Sequence, residues 1–202
     1  SNHCSSQCTY CGFNSRNRIA RIKLTPDAMH QEMRAIAAAG IESILLLTGE
    51  SYAATPVEYL KEAVQIARHY FSAISLEVHP LTTAEYRELF LAGVDGVAIY
   101  QETYNEERYQ AVHPGGLKRD YAYRRQTPER IAEAGIRQIS LGILLGLADA
   151  AEDLWALYNH LCTLEKIYPG VEYSVSFPRL RQVKGQTFVP CPVNDATFIK
   201  MI

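Results

Sequence analysis

Long apolar runs are missing from this sequence. Those present are short, such as Ile44 to Leu47, and nothing approaches the ~20 residues that span a bilayer. An excess of either charge is missing too, since 20 basic residues meet 22 acidic ones for a formal net charge of −2. That balance supplies no broad basic footprint for a nucleic acid and no polybasic face for anionic lipid. Low-complexity segments are absent as well. With 48% apolar and 21% charged residues in 202, and 12 Gly against 9 Pro, the chain is neither disordered nor collagen-like. Ahead of Cys4 stand only Ser1, Asn2 and His3, neither a charged segment nor an apolar one. The expectations are therefore a cytoplasmic protein with no nucleic-acid or membrane partner, and one large domain or two small ones.

Of five cysteines, Cys4, Cys8 and Cys11 fall together, while Cys162 and Cys191 lie far away. An odd number clustered in this way is a poor disulfide framework and a good metal-ligand set in a reducing compartment. Cys4-x3-Cys8-x2-Cys11 puts three thiols on a loop short enough to wrap one compact centre. Three ligands are one short of saturating a [4Fe–4S] cluster, which leaves one iron able to bind something else. A Cys3His zinc site using His3, or three unligated cysteines, are the alternatives. Tyr10, Gly12 and Phe13 suit an aromatic wall over such a centre.

From Thr25 onward, helical and strand patterns alternate. Thr25-Pro26 opens a helix that Gly40 closes, before a strand at Ile44 to Leu47. A helix after Thr55-Pro56 carries Val57, Leu60, Val64, Ala67 and Phe71 on one stripe. Then follow a strand at 74–78, a helix at 82–92 and a strand at 96–100. Helices at 105–112 and 121–134, a strand at 138–146, a helix at 149–168 and a strand at 172–177 complete the pattern. Five strands, each preceded by a helix and none cleanly alternating, predict a parallel α/β sheet covered on its outer face. Gly40, Gly93 and Gly135 each separate a helix from the next strand. In a parallel α/β barrel the chemistry lies at the C-terminal ends of the strands. The polar clusters Thr48-Gly49-Glu50, Glu77-Val78-His79, Gln101-Glu102-Thr103, Gly146 to Asp149 and Arg179 to Arg181 all occupy such ends.

At this point the chain resembles a family. Cys4-x3-Cys8-Thr9-Tyr10-Cys11-Gly12-Phe13 matches the radical S-adenosylmethionine signature, Thr48-Gly49-Glu50 its Gly-Gly-Glu motif, and Gly142-x3-Gly146-x2-Asp149 its fifth-strand glycines. Tyr100 to Tyr104 and Tyr173 to Arg181 are similar to the aromatic amino acid lyases of that superfamily. Most similar are the tyrosine lyases that make 2-iminoacetate for the thiazole of thiamine. The resemblance implies a partial, TIM-like βα barrel over residues 1–181, truncated at both ends, with 182–202 opening a C-terminal region. A barrel so cut exposes two unpaired sheet edges that favour association.

The resemblance also assigns roles. Cys4, Cys8 and Cys11 would ligate a [4Fe–4S] cluster whose open iron is chelated by the methionine end of S-adenosyl-L-methionine. Reduction would release a 5′-deoxyadenosyl radical. Thr48, Gly49 and Glu50 would accept hydrogen bonds from the amino group and Arg124 would pair with the carboxylate. Glu102 would hold the ribose hydroxyls, and Tyr10 with the Gly142 to Leu147 segment, Gly146 included, would pack on adenine. Arg179 and Arg181 share a strand face. Either would bind the carboxylate of L-tyrosine, with Ser174 or Ser176 nearby, before the Cα–Cβ bond breaks to dehydroglycine (2-iminoacetate) and p-cresol. An electron donor such as flavodoxin or ferredoxin is implied, with thiazole synthase a further partner. The alternatives are the tyrosine lyase of [FeFe]-hydrogenase maturation, a tryptophan lyase and a non-catalytic iron–sulfur electron carrier. His79, at a strand end before Pro80, either faces the cavity or is structural. Cys162 reads as core, and Cys191 is a fourth ligand only if its loop folds back.

Overall fold

A computed structural model describes residues 1–181, 188–191 and 193–201. The first seven helices and five strands alternate in the order α1 (Pro26–Ala38), β1 (Ser43–Leu47), α2 (Val57–Ala67), β2 (Ala73–Glu77), α3 (Thr83–Ala92), β3 (Gly96–Glu102), α4 (Glu106–Val112), α5 (Tyr121–Arg125), α6 (Thr127–Glu133), β4 (Gln138–Ile143), α7 (Ala150–Ile167) and β5 (Glu172–Ser176). A 3₁₀ turn at Leu117–Arg119 precedes α5, and a short α8 (Asp195–Ile199) follows the sheet. The strands form one parallel sheet in sequential order, β1-β2-β3-β4-β5.

Local chemistry explains the boundaries. The Thr25 hydroxyl accepts from the Ala28 N–H with Pro26 in the first turn of α1, and Thr82 and Glu85 form a reciprocal capping box on α3. Asp149 accepts from the Ala151 and Glu152 N–H groups to start α7. Gly93, at φ 112°, supplies the left-handed turn that ends α3. Helix 121–134 of the sequence reading is in fact two, because Thr127-Pro128 restarts the chain after Gln126. The predicted strand 138–146 stops at Ile143.

Packing separates two faces. Ile44, Leu46, Ile74, Leu76, Val97, Ile99, Ile139 and Leu141 join the helices in one core cluster on the outer face. The opposite, concave face carries small or polar residues in register: Ser75 beside Gly96, Ala98 beside Ser140, and Ser140 beside Ser174. Alternation is therefore present after all, as the buried–half-buried pattern of β2 and the exposed inner residues Leu45 and Leu47 show. It was hidden in the sequence because the inner positions mix small, apolar and polar residues rather than being uniformly polar. The expected barrel-type α/β sheet covered on its outer face is what forms. Cys162 is half-buried on α7 rather than core.

Candidate active site at the strand ends

The parallel topology brings every strand's C-terminal end to one edge, and a cavity of about 380 Å³ lies there. Cys4, Cys8 and Cys11 rim it, together with Tyr10, Thr48, Gly49, Glu50, Glu102 and Arg124. Residues up to 120 apart in sequence thus meet at one cavity.

The cysteine loop is clamped from two sides. On the β1 side, the Gly49 N–H donates to the Ser1 carbonyl (2.9 Å) and the Ser5 N–H to the Glu50 carbonyl (2.8 Å). On the other side, Gln7 and Thr9 donate to the Gly115 and Val112 carbonyls, at 2.9 and 3.0 Å. Tyr10 Oη meets His113 Nε2 at 2.8 Å. His113 Nδ1 lies 2.8 Å from the Tyr109 carbonyl, which can only accept. The proton is thereby assigned to Nδ1, and Nε2 accepts from the tyrosine. Gly49 and Gly116 let the backbones touch: a Cβ on Gly49 would stand 2.3 Å from the His3 carbonyl oxygen, and one on Gly116 2.4 Å from that of Ser5.

Inside, charges are paired across the cavity. Arg124 Nη1 donates to Glu50 Oε1 at 2.7 Å and its Nε to the Tyr100 carbonyl at 2.7 Å. Lys118 pairs closely with Glu102 and stands 3.8 Å from Glu50. Burial pushes the Glu50 carboxyl up, but Arg124 and Lys118 outweigh it and leave the group below its usual value. Burial and Arg124 depress Lys118, yet Glu102 and Glu50 leave it above the ordinary lysine range. Glu102 adopts φ 72°, a left-handed conformation uncommon for a non-glycine residue. Asp153 of α7 fixes the turn behind it, accepting from Thr103 Oγ1 at 2.9 Å and from the Tyr104 N–H at 2.7 Å.

Six of the expected site residues lie outside the cavity. Arg179 pairs with Asp195 and its guanidinium stands 4.9 Å from the Phe198 ring, turned toward α8 and away from the cavity. Arg181 is exposed. Neither lines the cavity: the backbone at Arg179 still pairs in parallel with Leu145, and its side chain is held by Asp195. Ser174 lies on the concave face below the cavity and Ser176 pairs in register with Gly142. Of the 142–147 segment only Leu144 lines the cavity. Gly142 instead makes room for the Tyr100 ring, which a Cβ would meet at 2.7 Å, and Gly146 at φ 108° packs against Cys191 and Leu180. Cys191 does fold back, donating its N–H to the Gly146 carbonyl at 2.8 Å, but it is exposed and does not reach the three cysteines. His79 is buried against Tyr52, ring centroids 4.2 Å apart, and does not line the cavity.

Lys118 escaped the sequence reading. It sits in a 3₁₀ turn with no periodicity, and the Gly115-Gly116 pair before it was the available signal of a tight turn against another backbone. Ser6 was missed as well. Fully buried, it accepts from the Lys118 N–H at 3.1 Å and reaches Glu50 Oε2 at 3.4 Å, joining the loop to the charge network.

Residues 1–161 match the Radical SAM superfamily. The chain belongs to that superfamily. It is 44% identical over 186 residues to 2-iminoacetate synthase of Escherichia coli (strain K12), covering 92% of this chain and 49% of that protein. With 3-methylornithine synthase of Methanosarcina acetivorans it shares 27% identity over 133 residues, 64% of this chain and 38% of the other. Among solved structures, the FeFe-hydrogenase maturase HydG from Carboxydothermus hydrogenoformans superposes with a TM-score of 0.95 at 31% identity, over 100% of this chain and 48% of that one. The chain spans about half the length of the 2-iminoacetate synthases it matches.

The superfamily uses a [4Fe–4S] cluster and S-adenosylmethionine, and the cavity fits both. Among the described residues no three His, Cys, Asp or Glu side chains converge on one point suited to a single ion, and His3 does not line the cavity. Three thiols spaced around a cavity suit a larger, multinuclear group. Burial holds the Cys8 thiol up to about 12 and raises that of Cys11. These thiols keep their protons at neutral pH until a metal replaces them.

Proposed function

We propose that the chain is the cofactor-binding part of a radical S-adenosylmethionine lyase that cleaves the Cα–Cβ bond of L-tyrosine to 2-iminoacetate and p-cresol, for thiamine thiazole synthesis. The observation that carries this reading is the 44% identity to 2-iminoacetate synthase over 92% of the chain, joined to a cavity whose donors suit the cofactors.

The cluster and S-adenosylmethionine, once bound and reduced, supply a carbon radical that removes a hydrogen atom from the substrate. The chain's own residues bind and orient. Cys4, Cys8 and Cys11 hold the cluster at the cavity rim. Glu50 and the Thr48 and Gly49 backbone accept from the methionine amino group, and Arg124, releasing Glu50 to that group, pairs with its carboxylate. Glu102 receives the ribose hydroxyls while Lys118 balances its charge. Tyr10 packs beside adenine with Leu144, the one member of the 142–147 segment at the cavity. Ser174 stands on the substrate side. Arg179 and Arg181 are the candidates for the substrate carboxylate, and Arg179 takes that role by exchanging Asp195 for it. The electron comes from a flavodoxin or ferredoxin in the cytoplasm, and thiazole synthase consumes the product. No described helix is long and apolar enough to cross a membrane.

The likeness to HydG favours one second reading, the tyrosine lyase that makes carbon monoxide and cyanide for hydrogenase maturation. Reduced, cluster-loaded protein is incubated with S-adenosylmethionine and tyrosine. The proposal expects p-cresol without carbon monoxide; carbon monoxide selects the second reading. Cofactor cleavage without p-cresol overturns the substrate. An electron paramagnetic resonance spectrum unchanged by S-adenosylmethionine would sink the enzyme reading and leave an electron carrier.

A further inference from the structure

One carboxylate in the cavity has no ion-pair partner among the described residues. Glu77, the last residue of β2, lines the cavity, yet its carboxylate has neither a hydrogen bond nor an ion pair among the described residues. The two cations there are committed, Arg124 to Glu50, and Lys118 to Glu102 and Glu50. Three carboxylates, Glu50, Glu77 and Glu102, against two cations leave one negative charge, and its place is Glu77. Burial, and then the nearby charge of Glu102, push its carboxyl above the usual range against the weaker pull of Lys118 and Arg124.

The position says which cation. Gly49 and Glu50, which touch the cysteine loop, lie beyond the end of β1, whereas Glu77 pairs with Leu47 within the sheet. Below it the concave face forms a trough of about 390 Å³ lined by Leu45, Ser75, Ala98, Tyr100, Ser140 and Ser174. Ala98 and Tyr100 line both spaces, so cavity and trough meet at β3. Glu77, one residue beyond the Leu76–Val97 pair that joins β2 to β3, stands at that junction. Small side chains on the neighbouring strands leave room there for a ligand as large as an aromatic amino acid.

We propose that Glu77 receives the ammonium group of the amino-acid substrate at the junction of cavity and trough. The assignment deepens the lyase reading and rests on it. It is a specificity device: a carboxylate without a cation favours an α-amino acid over the same skeleton lacking the amine.

The test uses cluster-loaded wild type and Glu77→Gln, with binding measured by calorimetry in the presence of S-adenosylmethionine. The probes are L-tyrosine, L-tryptophan and the amine-free analogue 3-(4-hydroxyphenyl)propionate. Glu77→Gln should weaken binding of the amino acid at least about tenfold, as loss of a charge-assisted bond requires. It should leave the amine-free analogue and S-adenosylmethionine within twofold. Equal affinity for tyrosine in both proteins overturns the assignment while the lyase reading stands. A loss confined to S-adenosylmethionine, or equal for tyrosine and its amine-free analogue, overturns it too. Wild type that binds tryptophan and not tyrosine, with the Glu77→Gln loss on tryptophan, keeps Glu77 and overturns the tyrosine reading. Wild type that binds neither amino acid overturns both.

Discussion

Replacing Gly49 by Ala isolates the geometry of the cysteine loop from its chemistry. No thiol or charge is altered, yet the added Cβ would lie 2.3 Å from the His3 carbonyl oxygen, 2.9 Å from its carbon and 3.1 Å from Cys4 Cβ. Ordinary contact begins at 3.4 Å, so backbone must move by about 1 Å, which an inserted methyl in a tight site makes worth ~1–3 kcal/mol. The strain has an easy outlet. Residues 1–12 are held by scattered loop hydrogen bonds while the strands below are locked in a ladder, so the loop gives way and carries Cys4 with it. The expected result is a folded protein that, after anaerobic reconstitution, holds less than half the wild-type iron and sulfide. Its unfolding free energy in urea should fall by no more than that ~1–3 kcal/mol, because the loop yields and the sheet does not. Gly12→Ala is the matched control, since nothing lies within 4 Å of that Cβ and the position has no positive φ; it should load fully. Wild-type iron and sulfide in Gly49→Ala would refute the reasoning.

Removing Lys118 tests the buried charge network. Lys118→Met leaves Glu50 and Glu102 facing each other at positions only 12% and 11% exposed, and should cost ~3–5 kcal/mol in urea unfolding. Lys118→Arg should recover most of it. Asp153→Ala removes the acceptor for Thr103 and Tyr104 behind the left-handed Glu102, with an expected loss of ~1–3 kcal/mol. Asp153→Asn, which keeps an acceptor oxygen, should lose less. The pH dependence has a defined sign. Burial, aided by Lys118 and Arg124, drives His113 down to about 2 in the folded chain. The unfolded chain titrates near 6.5. Between those values the unfolded state binds the extra proton, so stability falls as pH falls below about 6.5, by up to ~1.4 kcal/mol per pH unit. In His113→Asn the slope of unfolding free energy between pH 6 and 5 should be shallower by about one proton; an unchanged slope refutes this.

What was legible in the sequence was local or topological. Thr25-Pro26 and the helix-ending Gly93 are signals carried within a few residues, and each boundary they marked is real. The site was legible through topology, because parallel strands joined by helices all end on one edge. Thr48-Gly49-Glu50 and Glu102 therefore meet although 52 positions separate Glu50 from Glu102. Pairing was not legible, since a strand-end position does not say where a long side chain turns. Arg124 met Glu50 rather than standing free, and Arg179 turned to Asp195, a residue with no motif around it. The same limit explains Glu77 and Lys118. One became noticeable only once both cations were seen to be taken, the other only once its turn was seen packed against Ser5 and Ser6. Glu50, Glu102, Arg124 and Lys118 balance one another and can exchange partners with a ligand, whereas Glu77 has no ion pair among the described residues to give up.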